Sequence, residues 1–140
     1  MISPKRMVSV FQRGGSVGKY ATTGDRLSPA QIAVFAADLH GETPIIASVR
    51  SPERWFAFTS SRLILKNGEA ARTALLADVV ALLRPTPEHW AEAKIAGGKI
   101  EIQLRDGSVL HLDVESPEPY IGIVNVIMYL SRINGRPKSH

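Results

Sequence analysis

The chain has 140 residues, 44% of them hydrophobic and 21% charged, with a formal net charge of +4 and no cysteine. That length fits one domain, or a domain with a tail, built around one hydrophobic core. The lack of cysteine excludes a disulfide framework and thiolate metal centres and fits a reducing, cytoplasmic setting. The longest apolar stretch, Tyr120 to Leu130, is broken by Gly122 and Asn125 and falls well short of the ~18 residues of a spanning helix. The apolar run behind Lys5 and Arg6 is only about five residues long, too short for a secretory signal.

The charge is uneven. Residues 1–27 carry Lys5, Arg6, Arg13, Lys19 and Arg26 against Asp25 alone, while residues 28–140 balance to zero. A neutral body argues against a nucleic-acid-binding domain, which carries its basic face on the fold itself. A basic arm can still meet an acidic partner, a membrane surface or RNA.

Residues 1–26 are rich in Gly, Ser, Thr and basic side chains and read as an N-terminal arm, flexible or ordered only by docking on the rest, in which only Met7–Phe11 could form a strand. Arg13 to Tyr20, R-G-G-S-V-G-K-Y, has the glycines and lysine of a phosphate-binding loop. A Walker loop needs four residues between its glycine and the Gly-Lys pair, then Ser or Thr for magnesium. Gly14 to Gly18 leaves one residue too few, Tyr20 takes the hydroxyl position, and no helical pattern follows. A nucleotide site is therefore not expected.

The next stretch predicts a helix over 28–40. Ser28 is the N-cap, Pro29 the first helical residue, Gln31 completes a capping box, and Leu27 can staple against Ile32. Ile32, Phe35, Ala36 and Leu39 form the apolar stripe, and Gly41 supplies the left-handed stop. Strands follow at Pro44–Val49, Trp55–Thr59 (Phe56 and Phe58 on one face), Arg62–Lys66, Arg72–Leu76 and Val79–Arg84. Asn67-Gly68 marks a turn. Residues 85–98 fit either a strand or a single helical turn.

Ile100, Ile102 and Leu104 alternate, as do Leu110, Leu112 and Val114. A two-residue turn at Asp106-Gly107 would put the two apolar sets on opposite faces. A three-residue loop, Arg105 to Gly107, pairs Ile102 with Leu110 and Ile100 with Leu112, with Gly107 left-handed after a type I turn. The chain then predicts a helix over 117–133: Ser116 caps, Pro117 starts, Asn134 and Gly135 stop it, and 135–140 is a tail. Ile123, Ile127 and Leu130 can cap a sheet. A second face, Ile121, Val124 and Met128, needs cover from the 28–40 helix or from another subunit.

The order is helix, about seven antiparallel strands, helix, which means a small, mainly β barrel or sandwich. Glu42 opening the first strand, Thr59 followed by Arg62, and the run Leu63-Ile64-Leu65 resemble the bacterial pleckstrin-homology-like (PH-like) domains. The resemblance spans about residues 41–133, with the 99–114 hairpin and final helix in the expected order. It implies one PH-like domain over 27–134: two nearly orthogonal antiparallel sheets forming a barrel capped by the C-terminal helix. It also implies a non-catalytic binding module with a protein partner, a homo-oligomer included. Eukaryotic members of the superfamily bind phosphoinositides through several basic residues around the first hairpin. Here that region offers only Arg50 and Arg54 around Glu53, too thin to carry a lipid site over.

Arg62 is expected to pair with a loop carboxylate such as Glu53 or Asp78, beside turn hydroxyls at Thr59, Ser60 and Ser61. His40, His89, His111 and His140 share no ligand spacing. His40 suits a helix C-terminus, and His111 should face solvent. No nucleophile elbow or His–Asp set surrounds Ser48 or Ser61, and Asp106, Asp113 and Glu115 fit turns and solvent faces. No cofactor, metal, small-molecule substrate or catalytic residue is inferred. The expected function is protein contact or self-association through Ile121, Val124 and Met128 and a sheet edge. The alternative is an anionic lipid headgroup or RNA held by Arg13, Lys19, Arg50 and Arg54; a small hydrolase or nucleotide enzyme ranks last.

Overall fold

The computed structural model describes residues 2–13, 18, 20–84, 98–114 and 118–135. In chain order it has α1 (Pro4–Arg13), β1 (Ala21–Thr23), α2 (Pro29–Leu39), β2 (Ile46–Ser51), β3 (Arg54–Phe58), β4 (Arg62–Asn67), β5 (Arg72–Leu75), β6 (Val79–Arg84), β7 (Gly98–Leu104), β8 (Val109–Val114) and α3 (Glu118–Asn134), with 3₁₀ turns at Gly24–Arg26 and Leu76–Asp78. All strand pairs are antiparallel, in one sheet ordered β1-β2-β3-β4-β5 and another ordered β6-β7-β8. Among the described residues no ladder joins the two sheets. The expected barrel is therefore corrected to two open sheets, with eight strands among the described residues where about seven were expected.

Alternation on the central strands explains the layering. Phe56, Phe58, Leu63 and Leu65 face a core shared with Ile100, Ile102, Leu110 and Leu112 of the second sheet, with α1 and with α3. Trp55, Ala57 and Ile64 face the other way, onto Phe35 and Leu39 of α2. The first sheet is thus buried on both faces, so β3 and β4 read as near-continuous apolar runs. The rings of Phe35 and Trp55 lie 5.5 Å apart, within the range of a favourable tilted pair.

The β7–β8 hairpin has the register that face agreement requires, Ile102 opposite Leu110 and Ile100 opposite Leu112. Gly107 donates its N–H to the Leu104 carbonyl at 2.9 Å and has φ +92°. α2 carries the expected capping box: Gln31 N–H donates to Ser28 Oγ (3.1 Å) and Ser28 N–H to Gln31 Oε1 (2.8 Å). Its apolar stripe needs correction. Phe35 and Leu39 are buried with Leu27, Val34 is half-buried beside them, and Ile32 and Ala36 are exposed. The left-handed exit starts one residue early, at His40 with φ 50°.

The N-terminal segment differs most from expectation. Met7–Phe11 lies in a helix, not a strand, because Met7, Val10 and Phe11 at i, i+3 and i+4 build one apolar face. Ser3 begins it, its carbonyl accepting from Met7 N–H at 3.0 Å, and Pro4 takes the first helical position. This face packs on α3. β1 adds to the edge of the first sheet, Ala21 opposite Ser48 and Thr23 opposite Ile46. In its described parts, the segment is a helix and a strand docked on the body, the second of the two expected arrangements.

α1 packs on a different face of α3, around Gly122 and Tyr129; of the second face, Val124 is buried, Ile121 half-buried and Met128 exposed. The closest approach is at Gly122, where an added Cβ would meet Phe11 Cδ1 and the Phe11 carbonyl at 2.7 Å. α3 packs along β6. At its C-terminal end Asn134 Nδ2 donates to the carbonyls of Leu76 (2.6 Å) and Val79 (2.8 Å). The Ser116–Pro117 start lies outside the described residues.

Gly122→Ala should lower stability by about 1–3 kcal/mol through overpacking, although Ala is the better helix former. Urea unfolding of the variant against the parent measures it. An unchanged or raised midpoint would contradict the close α1–α3 contact.

Candidate interaction surfaces

The residues that carried the family resemblance meet in one network. Glu42 follows α2, and the turn between β3 and β4 brings Thr59, Ser61 and Arg62 to it. Thr59 Oγ1 donates to Glu42 Oε1 at 2.6 Å and Ser61 Oγ donates to the same oxygen at 2.7 Å. Arg62 Nε donates to Glu42 Oε2 at 2.5 Å. The same guanidinium reaches the end of α2, where Nη2 donates to the Leu39 carbonyl at 2.9 Å. Thr59, itself fully buried, accepts the Arg62 N–H at 2.9 Å. The partner of Arg62 is therefore Glu42, not Glu53 or Asp78. Those two pair instead with Lys66 (3.6 Å) and Arg105 (3.7 Å). The hydrogen bonds from Thr59 and Ser61, then the Arg62 cation, hold the Glu42 carboxyl below its ordinary value. The cluster joins a helix end to a hairpin.

Of the anion candidates, Arg50, Arg54 and Arg13 are placed by the structure. Arg50 lies over the Tyr20 ring, 5.2 Å from its centre. Arg54 pairs with Asp113 at 3.6 Å. Both line a shallow cleft with Ser48 and Asn67. Arg13 ends α1, and Lys19, like His89 and His140, lies outside the described residues. Of the interface candidates, Val124 is buried under the chain's own fold, Ile121 is half-buried, and Met128 is 39% exposed. His111 is exposed, as strand parity requires.

Two surfaces stand out that the sequence raised only in outline, as a sheet edge and a basic N-terminal segment. One is the β5 edge. Leu76 N–H donates to the Ser61 carbonyl, so by alternation the N–H and C=O of Thr73 and the N–H of Leu75 point away from β4, while the Leu75 carbonyl caps the 3₁₀ turn that follows. Leu75 is 52% exposed beside an open groove of about 430 Å³ lined by Thr73, Ala74, Asp78, Leu104, Arg105 and Asp106. The period-2 pattern marks Leu75 as strand but cannot say that its strand ends the sheet. The other is the outer face of α1, with Lys5, Arg6 and Arg13 exposed. Its signal was present as basic residues at helical spacing. A second groove, of about 440 Å³, runs between α1 and residues Gly24, Asp25 and Thr43–Ile45.

Among the described residues, no three His, Asp or Glu side chains gather as a metal set, and no helix is long and apolar enough to cross a membrane. No family model, curated protein or solved structure matches the chain.

The depressed Glu42 pKa has a definite sign. The unfolded chain takes up the proton first as pH falls, so the Glu42 contribution is complete above the ordinary carboxyl value of 4.5. It is lost as pH drops through the lower folded value. Glu42→Gln should cost about 1–2 kcal/mol at neutral pH and should weaken the acid dependence of stability below pH ~5. Urea unfolding of both proteins at neutral and acid pH reads this directly. Parallel pH profiles would refute it.

Proposed function

We infer that this chain is a non-catalytic binding module whose partner is a protein, a second copy of the chain first of all. The observation that carries the reading is the β5 edge. An exposed apolar side chain, Leu75, sits on the strand that ends the first sheet among the described residues, where Thr73 turns its backbone N–H and C=O outward. Natural sheets blunt such edges with charge, bulges or cover. Here Arg72 is the only charge on β5. Strand addition from a partner satisfies the free backbone groups, and the adjoining groove accepts its side chains.

A PH-like classification is supported by order. Four antiparallel strands (β2–β5), three more (β6–β8) and a terminal helix follow one another. β1, α1, α2 and the open sheets are additions to that plan. The C-terminal helix contributes less than its sequence suggests, because Val124 is buried in the chain's own core.

Self-association predicts a solution mass above the 15.3 kDa of the chain. Leu75→Lys, at an exposed site, should return it to the monomer without loss of folded signal. Light scattering over a concentration series tests both. A monomer at high concentration in the parent protein would reject self-association, and an oligomer untouched by Leu75→Lys would move the contact elsewhere.

A further inference from the structure

α1 sets Lys5, Ser9 and Arg13 at i, i+4 and i+8, with Arg6 on the same side; all four are exposed. The helix contains no acidic residue, and its opposite face is spent on the core. The Arg6 guanidinium lies 5.6 Å from the centre of the Tyr129 ring, which carries the basic surface onto α3. There Arg132 follows Tyr129 by three residues and Ile133 by four, and both are exposed along with Met128. Among the described residues none of Lys5, Arg6, Arg13 and Arg132 meets a carboxylate. Arg54, Arg62, Lys66, Arg84 and Arg105 each do; Arg26, Arg50, Arg72 and Lys99 do not, but they lie on other elements. The unpaired cations of the two helices thus share one surface with Met128, Ile133 and Tyr129.

That combination selects among anionic partners. A nucleic acid offers phosphates to the cations but no apolar layer to Met128 and Ile133. A bilayer containing anionic lipid offers both, in layers. Headgroup charge meets the Lys and Arg tips, and the acyl boundary beneath receives the apolar side chains and the long cationic stems. We propose that the α1–α3 face is a docking surface for an anionic lipid bilayer, engaged through Lys5, Arg6, Arg13 and Arg132 with Met128 and Ile133 at the rim. α1 stays packed on α3 throughout, since its apolar side is needed by the core. None of these residues lies on β5, so the proposal is independent of the sheet-edge contact.

The test is co-sedimentation of the full chain with vesicles of phosphatidylcholine alone or mixed with phosphatidylserine. Binding should require phosphatidylserine and weaken with added salt, as screening shortens the reach of the charges. Each basic residue near such a surface is worth about fivefold in partitioning, so the triple variant K5Q/R13Q/R132Q should bind about a hundredfold more weakly. Lys99→Gln, which removes an exposed cation from β7, should change binding by no more than the loss of one net charge. Circular dichroism of the triple variant checks that the fold is kept, as expected for exposed sites. Failure to bind phosphatidylserine vesicles, or equal binding by the triple variant, overturns the proposal. So does a single-stranded RNA that binds through the same residues more tightly than the vesicles do.

Discussion

Trp55, Ala57 and Ile64 turn one way from β3 and β4, while Phe56, Phe58, Leu63 and Leu65 turn the other, and neither set can be left in water. A single three-stranded sheet covers only one side. The chain therefore supplies α2 for the outer face, and the second sheet, α3 and α1 for the inner one. A helix on the outer face must be held at both ends, and this is where the polar residues are spent. Ser28 and Gln31 fix the N-terminus of α2. Glu42, Thr59, Ser61 and Arg62 fix the C-terminal end, the guanidinium taking the Leu39 carbonyl that the helix itself leaves open.

The Glu42 cluster also explains why a short motif around Thr59 and Arg62 is informative about fold and silent about ligand. Each member is satisfied by another member or by backbone: Thr59 bonds both the carboxylate and the turn amides, and Arg62 divides its donors between Glu42 and α2. A charge so fully engaged is costly to redirect toward a ligand. Pairing elsewhere follows the same logic. Arg54 with Asp113 and Arg105 with Asp78 tie the first sheet, or the turn after it, to the second. Asn67 joins them by donating to the His111 carbonyl at 3.1 Å.

The basic N-terminal segment sits differently. Its helix is anchored by three apolar side chains and by the absence of a side chain at Gly122, while its cations stay in solvent. A charge excess that looks like a tail in composition becomes a fixed surface once the helix carrying it is docked. β1 anchors the same segment again. Gly24 lies so close to Pro44 that an added Cβ would fall 1.9 Å from the Pro44 carbonyl oxygen. The chain thus leaves β1 through a contact that excludes any side chain.

Much of the fold was legible from local rules. Ser28-Pro29-Gln31 fixed the start of α2, and parity in the two runs 100–104 and 110–114 fixed both the register and the left-handed Gly107, because a slip by one residue would expose an entire apolar set. Asn134-Gly135 ended the last helix. Ser3-Pro4 carried the same signature as Ser28-Pro29, but Val8 and Val10 suggest a strand when read alone, and only burial against Gly122 makes the helical spacing of Met7, Val10 and Phe11 decisive. Which carboxylate Arg62 meets, which face of α2 is buried, which strand lies at the edge and what covers α3 are relations between segments far apart in the chain. Residue order determined where the elements begin, end and point their apolar faces, since those follow from backbone sterics and period. Only the tertiary structure decided which faces meet, since that depends on close approach between elements that share no local pattern.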